Sequence, residues 1–299
     1  MSAVFEPWSF QIKTDFTLSG WRTRFTGKPV IVFFHGNGFS GLSYRPMLDA
    51  LASDFDLIVP DLPGHGDSGF ASDLSGWNDT ARYMRSVLNS FSHQIQATVP
   101  ILGLGHSYGG IMTALIAGSD QNRFKKTLLL DPVIFSSGML FVKGLSEWLG
   151  LAEQTDLVKK TKKRQDSWAS KQEAYEYFEG RGIFKNWAPE SLQAYIDDAL
   201  MDKPEGEVGV TLKCPTSVEA KIFASYPKRL WSNLRHTRTP CKILMGKESY
   251  PFIAKSAAKL EPLKMFQTEK VEGGHCFMQE RPIETAKMIK DWFLQDRIL

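Results

Sequence analysis

Short apolar runs alternate with amphipathic stretches over most of this chain. Apolar runs that predict buried strands share a length of four to six residues and lie at 30–34, 57–60, 99–104, 127–130 and 242–245. Patterns with helical spacing lie at 44–52, 77–91, 108–118 and 282–298. Strands that are apolar on both faces and alternate with helices are typical of a parallel sheet covered by helices on both sides. We therefore predict an α/β fold.

Two regions depart from this alternation. Residues 8–25 alternate between apolar and polar positions, which predicts a leading antiparallel hairpin, with Leu18-Ser19-Gly20 as its turn. Between 136 and about 231 the strand signals stop, and Trp168, Tyr175 and Phe178 follow helical spacing. We predict that residues 1–135 and 232–299 form one core, and that residues 136–231 form a helical cap inserted into it.

The sequence Gly105-His106-Ser107-Tyr108-Gly109 has the G-x-S-x-G pattern and lies between a predicted strand and a predicted helix. A chain that reverses sharply from strand to helix holds its turn residue in a strained conformation, and the flanking glycines remove Cβ atoms that would clash. The Ser107 hydroxyl then lies exposed above the sheet. The Tyr108 N–H opens the helix and points at negative charge that develops beside the serine. Ser107 is our candidate nucleophile.

Composition excludes several classes of protein. A chain of 299 residues with 42% hydrophobic residues can bury one large core, and a net charge of +3 is too small to indicate nucleic-acid binding. The cysteines Cys214, Cys241 and Cys276 are too few and too scattered for a disulfide framework or a zinc site, which favours a reducing compartment. Since Tyr108 replaces the third glycine of a dinucleotide fingerprint, and no histidine and cysteine spacing indicates a metal, we expect neither a cofactor nor a metal.

No secretory signal and no apolar run of about 20 residues is found, so we expect a cytoplasmic protein without membrane contact. A basic run at residues 159–164 is interpreted as a solvated helix face, because acidic residues lie nearby; contact of this run with an anionic membrane is the alternative.

Further motifs follow the other predicted strands in a fixed order: His35-Gly36-Asn37-Gly38, the loop 61–68, Asp131, Gly246 and Gly273-Gly274-His275. With the Ser107 motif they resemble the α/β-hydrolase fold superfamily, in its capped branch of esterase-like and C–C-hydrolase-like enzymes. The resemblance covers about residues 25–135 and 238–297. It implies a mostly parallel, twisted eight-stranded sheet with helices on both faces and an inserted helical cap. His35, His65 and His106 flank glycine turns, and we interpret them as structural.

The resemblance makes His275 the candidate general base, which a weakly nucleophilic serine hydroxyl needs within hydrogen-bond reach. The carboxylate that would orient His275 departs from the family pattern. Its usual position lies three residues after Gly246, where this sequence has Ser249. Asp131 at the tip of the sixth strand is our first candidate. Glu248, one residue short of the usual position but with a longer side chain, remains the alternative. Either carboxylate could hold the imidazole tautomer.

The resemblance also assigns the oxyanion hole to the backbone N–H groups of Tyr108 and Asn37. We predict a carboxylesterase-like serine hydrolase that cleaves a small to medium, partly apolar carboxylic ester through an acyl-enzyme, because the predicted cap is rich in aromatic residues. A C–C bond, lactone or thioester hydrolase with the same triad remains open, and so does a ligand-binding member of the fold without catalytic activity.

Overall fold

A mixed sheet of eight strands forms the centre of the protein. The structure is a computed structural model that describes residues 2–13, 16–70 and 76–295. Its strands, in chain order, are β1 (Glu6–Lys13), β2 (Phe16–Arg22), β3 (Val30–Phe34), β4 (Asp56–Pro60), β5 (Ile101–His106), β6 (Lys126–Leu130), β7 (Ser167–Trp168), β8 (Leu200–Asp202), β9 (Val210–Leu212), β10 (Cys241–Gly246) and β11 (Phe266–Val271). The large sheet has the order β1-β2-β4-β3-β5-β6-β10-β11. Its β1–β2 and β2–β4 pairs are antiparallel and the others are parallel.

Helices cover both faces of this sheet, so the predicted α/β architecture is confirmed. They are α1 (Arg45–Leu51), α2 (Trp77–Ser90), α3 (Tyr108–Ser119), α4 (Ser137–Trp148), α5 (Asp156–Lys163), α6 (Lys171–Phe178), α7 (Pro189–Ala199), α8 (Thr216–Ala224), α9 (Leu230–His236), α10 (Pro251–Ala257), α11 (Phe277–Glu280) and α12 (Pro282–Leu294). Among the residues that the structure describes, none of the helices combines the length and the apolar character needed to cross a bilayer.

The central strands are apolar throughout because each of their faces packs in a separate core. On β3, Val32 and Phe34 join the side chains of α2, α3 and α9. Ile31 and Phe33 point to the opposite face and join those of α1 and α12. All four side chains are fully buried. A strand with two buried faces loses the alternation of a half-exposed strand, which explains the continuous apolar runs in the sequence.

The predicted hairpin exists, but its predicted turn is wrong. Lys13 pairs with Phe16, so the pairing of the two strands extends beyond Leu18-Ser19-Gly20. Residues 14 and 15 lie outside the described residues. Leu18-Ser19-Gly20 lies inside β2. Gly20 is required there by close packing: a Cβ atom would lie 2.5 Å from the Val59 carbonyl oxygen and 2.6 Å from Cζ2 of Trp8. Gly20 therefore marks a close approach of the backbone to its neighbours, and not a turn.

The insertion between β6 and β10 contains helices and also a small sheet. Strands β7, β9 and β8 form an antiparallel sheet in that order, which the expectation of a purely helical cap did not include. These strands have two or three residues each, too few to produce a period-two pattern. The last helix of this stretch, α9, packs against α3. The division of the chain at 135/136 and 231/232 stays a prediction.

Replacing Gly20 by alanine should lower the free energy of unfolding by about 1–3 kcal/mol, because the added methyl group overlaps the backbone of β4 and the Trp8 ring. Gly138→Ala in α4 is the matched control. Its Cβ atom would meet nothing closer than the Ser136 Oγ at 4.0 Å, so this change should be neutral or stabilise the protein by up to about 1 kcal/mol. Urea unfolding measures both; equal effects of the two changes would contradict the packing argument.

Candidate active site

Ser107 occupies a strained turn between β5 and α3. Its backbone has φ 52° and ψ −112°, a conformation that residues other than glycine rarely adopt. A Cβ atom on Gly105 would overlap the carbonyl of Gly109, and one on Gly109 would overlap the carbonyl of Phe34 in β3. Both glycines of the motif are therefore required by the close approach of β5, α3 and β3. Ser107 keeps 8% of its surface exposed.

The structure brings Ser107, His275 and Asp131 together from three separate strand ends. His275 follows β11, and its Nε2 lies 2.9 Å from the Ser107 Oγ. Its Nδ1 lies 2.6 Å from the Asp131 Oδ2 at the end of β6. A carboxylate can only accept hydrogen bonds, so Nδ1 carries the proton and Nε2 accepts the bond from the Ser107 hydroxyl. This tautomer is the one that a general base needs.

The Asp131 carboxylate is completely buried and accepts further hydrogen bonds. The Gly246 N–H donates to Oδ1 at 2.9 Å, and the Ser249 hydroxyl donates to Oδ2. Ser249 stands where the family usually has its acid, and it supports the acid that lies across the site instead. The side chain of Glu248 is exposed, and the structure places Asp131 rather than Glu248 against His275.

The role of Ser249 was missed in the sequence, although its position was the one available signal. Only the backbone geometry shows that its hydroxyl reaches a carboxylate 118 residues away in the chain.

Two backbone N–H groups, those of Tyr108 and Asn37, have no acceptor among the described residues. The Tyr108 N–H is the first of α3, where no helical carbonyl is available. On the loop after β3, the Gly36 N–H donates to the Tyr44 hydroxyl at 3.1 Å, and the Gly38 N–H donates to the His65 Nε2 at 3.1 Å. The Asn37 N–H lies between these two bonded groups. The loop is therefore held on both sides of the amide that the resemblance assigns to an oxyanion hole.

The Asn37 side chain is held as well. Its Nδ2 donates to the Glu219 carbonyl at 3.2 Å, so this amide is bound to α8. The Arg164 guanidinium lies 2.6 Å from the Glu219 carboxylate and thereby connects the residues after α5 to the same point. The insertion is thus fastened directly to the loop that carries Asn37.

A buried hydrogen-bond chain connects this loop to His275. The Tyr44 hydroxyl accepts from Gly36 and lies 2.7 Å from the His106 Nδ1, and the His106 Nε2 donates to the His275 carbonyl at 3.0 Å. Tyr44 and His106 are fully buried. Burial, and the neighbouring His275, hold the pKa of His106 well below its usual 6.5, so its ring stays neutral. The role of His106 is to connect two loops, which its place beside Ser107 in the sequence did not reveal.

Three cavities border residues of the site or their neighbours. One of about 320 Å³ borders Asp131 and Ser249, one of about 300 Å³ borders His275, and one of about 180 Å³ borders Tyr108. Within the described part of the chain, no group of three or more His, Cys, Asp or Glu side chains is arranged to hold a metal ion. The His275 imidazole contacts the Ser107 hydroxyl, and the Asp131 carboxylate contacts that imidazole.

A sheet of this strand order, with a serine on a strained turn after β5 and a histidine after β11, defines the class of α/β hydrolases. The profile of the alpha/beta hydrolase family matches residues 31–288, and the chain belongs to that family.

Curated relatives are similar over parts of their length. The magnesium-chelatase 30 kDa subunit of Rhodobacter capsulatus is 34% identical over 90 residues, which are 30% of this chain and 30% of the relative. A type I acyl-CoA thioesterase of Penicillium brevicompactum is 29% identical over 182 residues, which are 57% of this chain and 39% of the relative. The matches thus span well under two thirds of either relative.

Solved structures share the fold over almost the whole chain. An esterase of Mycobacterium tuberculosis superimposes with a TM-score of 0.72 at 16% identity, covering 99% of this chain and 94% of the esterase. At this identity the likeness shows the fold alone.

Tyr44→Phe should lower the free energy of unfolding by about 1–3 kcal/mol, because it leaves the buried Gly36 N–H and the His106 Nδ1 without partners. Tyr177→Phe is the control, since the Tyr177 hydroxyl makes no hydrogen bond within the described residues; it should change stability by less than about 0.5 kcal/mol. Urea unfolding of both variants checks this. Equal values for the two would show that the hydrogen-bond chain contributes nothing.

Proposed function

We propose that this protein is a serine hydrolase in which Ser107, His275 and Asp131 form the catalytic triad. One observation carries the proposal: the His275 ring bridges the Ser107 hydroxyl at 2.9 Å and the Asp131 carboxylate at 2.6 Å. These distances are those of a nucleophile with its general base, and of a base with the group that orients it. The strained turn adds support, because it presents the hydroxyl above the sheet.

In the proposed reaction, the Ser107 oxygen attacks a substrate carbonyl carbon while the His275 Nε2 accepts the hydroxyl proton. The Asp131 carboxylate stabilises the imidazolium that forms. When the tetrahedral intermediate collapses, the bond to the leaving group breaks and His275 returns the proton to that group. A water molecule then attacks the acyl-enzyme and gives a proton to His275. The bond to the Ser107 oxygen breaks, His275 returns the proton to that oxygen, and the acid product departs.

The negative charge of the tetrahedral intermediate falls on the former carbonyl oxygen. The Tyr108 and Asn37 N–H groups are proposed to bind it, since both lack an acceptor within the described residues and one begins a helix. The loop of Asn37 is held through Tyr44 and His65, so these donors need little reorganisation during the reaction.

The proposed substrate is a small to medium, partly apolar carboxylic ester. Phe70 and Ile222 line the cavity at Tyr108, and Ile183 and Tyr250 line the cavity at His275 together with polar residues. A second candidate is a thioester, favoured by the likeness to the acyl-CoA thioesterase of Penicillium brevicompactum. Both reactions use the same nucleophile and base, and they differ in the leaving group.

A fluorophosphonate probe tests the proposed nucleophile. One equivalent should attach to the peptide that contains Ser107, and Ser107→Ala should abolish the labelling, because only an activated serine attacks the probe. Ser53→Ala, at an exposed serine away from the site, should label like the wild type. A folded wild type that takes up no probe would favour a ligand-binding protein over an enzyme.

The acid is tested by comparing Asp131→Asn with Glu248→Gln. Asp131→Asn should reduce turnover by about 10⁴-fold, since an amide no longer holds the Nδ1–H tautomer of His275. Glu248→Gln, at an exposed side chain, should stay within about twofold of the wild type. Rates are measured on a p-nitrophenyl ester and on the acyl-CoA with the same acyl group. The wild-type preference between these two substrates decides between ester and thioester, and full activity of Asp131→Asn on both would contradict the triad.

A further inference from the structure

Helix α4 turns its apolar side chains towards solvent. Phe141 is 72% exposed, Trp148 is 80% exposed, and Val142, Leu145 and Leu149 are exposed as well. Positions 141, 145, 148 and 149 follow helical spacing, so they form one stripe along the helix, which we call the α4 face together with Val142. Exposed apolar residues that stand singly are normal, whereas a contiguous patch of this kind marks an interaction surface.

The opposite side of α4 is fixed to the protein, where Leu140 packs against the core. The Lys143 Nζ donates to the carbonyls of Phe223 and Ser225, at 2.9 and 3.4 Å, at the end of α8. Burial lowers the pKa of Lys143. A Cβ atom on Gly144 would lie 3.0 Å from the Tyr226 hydroxyl, so the helix lies close against this segment. The side of the helix with Leu140 and Lys143 is therefore held inwards, and the α4 face is held outwards.

The chain that follows the α4 face carries a basic run at residues 159–164. Arg164 of this run is paired with Glu219. The lysines at 159, 160, 162 and 163 of α5 are exposed, and Lys162 pairs with Glu153. Leu151 and Leu157, each at least half exposed, continue the apolar surface between the two helices.

The α4 face also lies next to a route to the candidate active site. The cavity of about 180 Å³ has Glu147 of α4 and Ala152 and Glu153 of the following turn among its lining residues. Tyr108, the residue after Ser107, lines the same cavity. The cavity thus borders both α4 and the residue after the proposed nucleophile.

We propose that the α4 face and the lysines of α5 bind the surface of an anionic lipid membrane. Aromatic and aliphatic side chains on one helix face, with lysines beside them, are the features of a helix that lies in the membrane interface. Anionic headgroups attract the lysines, and the cytoplasmic leaflet, on the side predicted for this protein, is the anionic one. The expectation of no membrane contact came from the lack of a spanning segment, and interfacial binding does not need one.

Vesicle flotation of the full chain tests the apolar part of this surface. Wild type and Ser107→Ala should float equally with vesicles of equal parts phosphatidylcholine and phosphatidylglycerol, which separates lipid binding from the proposed catalysis. Phe141→Ser/Trp148→Ser should weaken partitioning at least about tenfold. Ile283→Ser, at a 63% exposed isoleucine of α12, is the control and should bind like the wild type. Near-ultraviolet circular dichroism confirms that each variant is folded.

A charge-reversal pair tests the basic part. Lys159→Glu/Lys160→Glu/Lys163→Glu should weaken partitioning at least about a hundredfold, because the loss of each lysine charge near the surface alone costs roughly a factor of five. Lys125→Glu/Lys264→Glu/Lys287→Glu changes the net charge equally, at exposed lysines outside the insertion between β6 and β10. This control should weaken partitioning less than about tenfold. Pure phosphatidylcholine vesicles should bind the wild type more weakly than the mixed vesicles.

The proposal would be overturned if the wild type did not float with the mixed vesicles. It would also be overturned if the control variants lost as much binding as the α4 and α5 variants. A third contradicting result is a wild type that binds no vesicles and forms a dimer, which Phe141→Ser/Trp148→Ser converts to a monomer. The last result would show that the α4 face joins two copies of the chain.

Discussion

The close approach of three backbone segments at Ser107 is the constraint on which the site depends. Strand β3, strand β5 and helix α3 meet so tightly that no Cβ atom fits at Gly105 or Gly109. This contact forces the residue between them into a positive φ, which costs on the order of 1–3 kcal/mol. The strain persists because β3 and β5 are buried on both faces of the sheet. Sheet packing therefore fixes the backbone of Ser107, and the His275 Nε2 accepts the hydrogen bond of its hydroxyl at 2.9 Å.

The other groups of the site depend on this platform through buried hydrogen bonds. Asp131 is fixed by the Gly246 amide and the Ser249 hydroxyl, so both neighbouring strand ends, β6 and β10, define its position. His106, the residue before Ser107, donates a hydrogen bond from its Nε2 to the His275 carbonyl. Its neutral state matters electrostatically, because a charged ring 4.9 Å from the His275 ring would oppose the imidazolium that the proposed mechanism requires. The burial of His106 thus keeps a second positive charge away from the proposed base, His275.

The sequence predicted the architecture and the positions of Ser107 and His275 because these depend on glycine spacing and on the order of strands, which leave a local pattern. The choice between Asp131 and Glu248 stayed open, since both follow strand ends and only the direction of the side chain separates them. Ser249 could not be recognised as a partner of Asp131, because a hydroxyl donating across the site leaves no periodic signal. Gly20 misled for a related reason: a glycine that admits a neighbouring indole looks like a turn glycine in a linear sequence.

The inserted segment shows the limit of periodicity most clearly. Apolar spacing predicts which residues of α4 share a face, but not whether that face contacts the core or the solvent. The hydrogen bond from Lys143 to the end of α8 fixes the orientation of the helix. The insertion leaves the sheet after β6 and returns before β10, and these two strands pair directly, with Leu130 opposite Leu244. Asp131 and Gly246 are therefore held together by the sheet whatever the insertion contains. Because of this arrangement, the surface and the cavity walls of the insertion can change while the Ser107, His275 and Asp131 geometry is preserved.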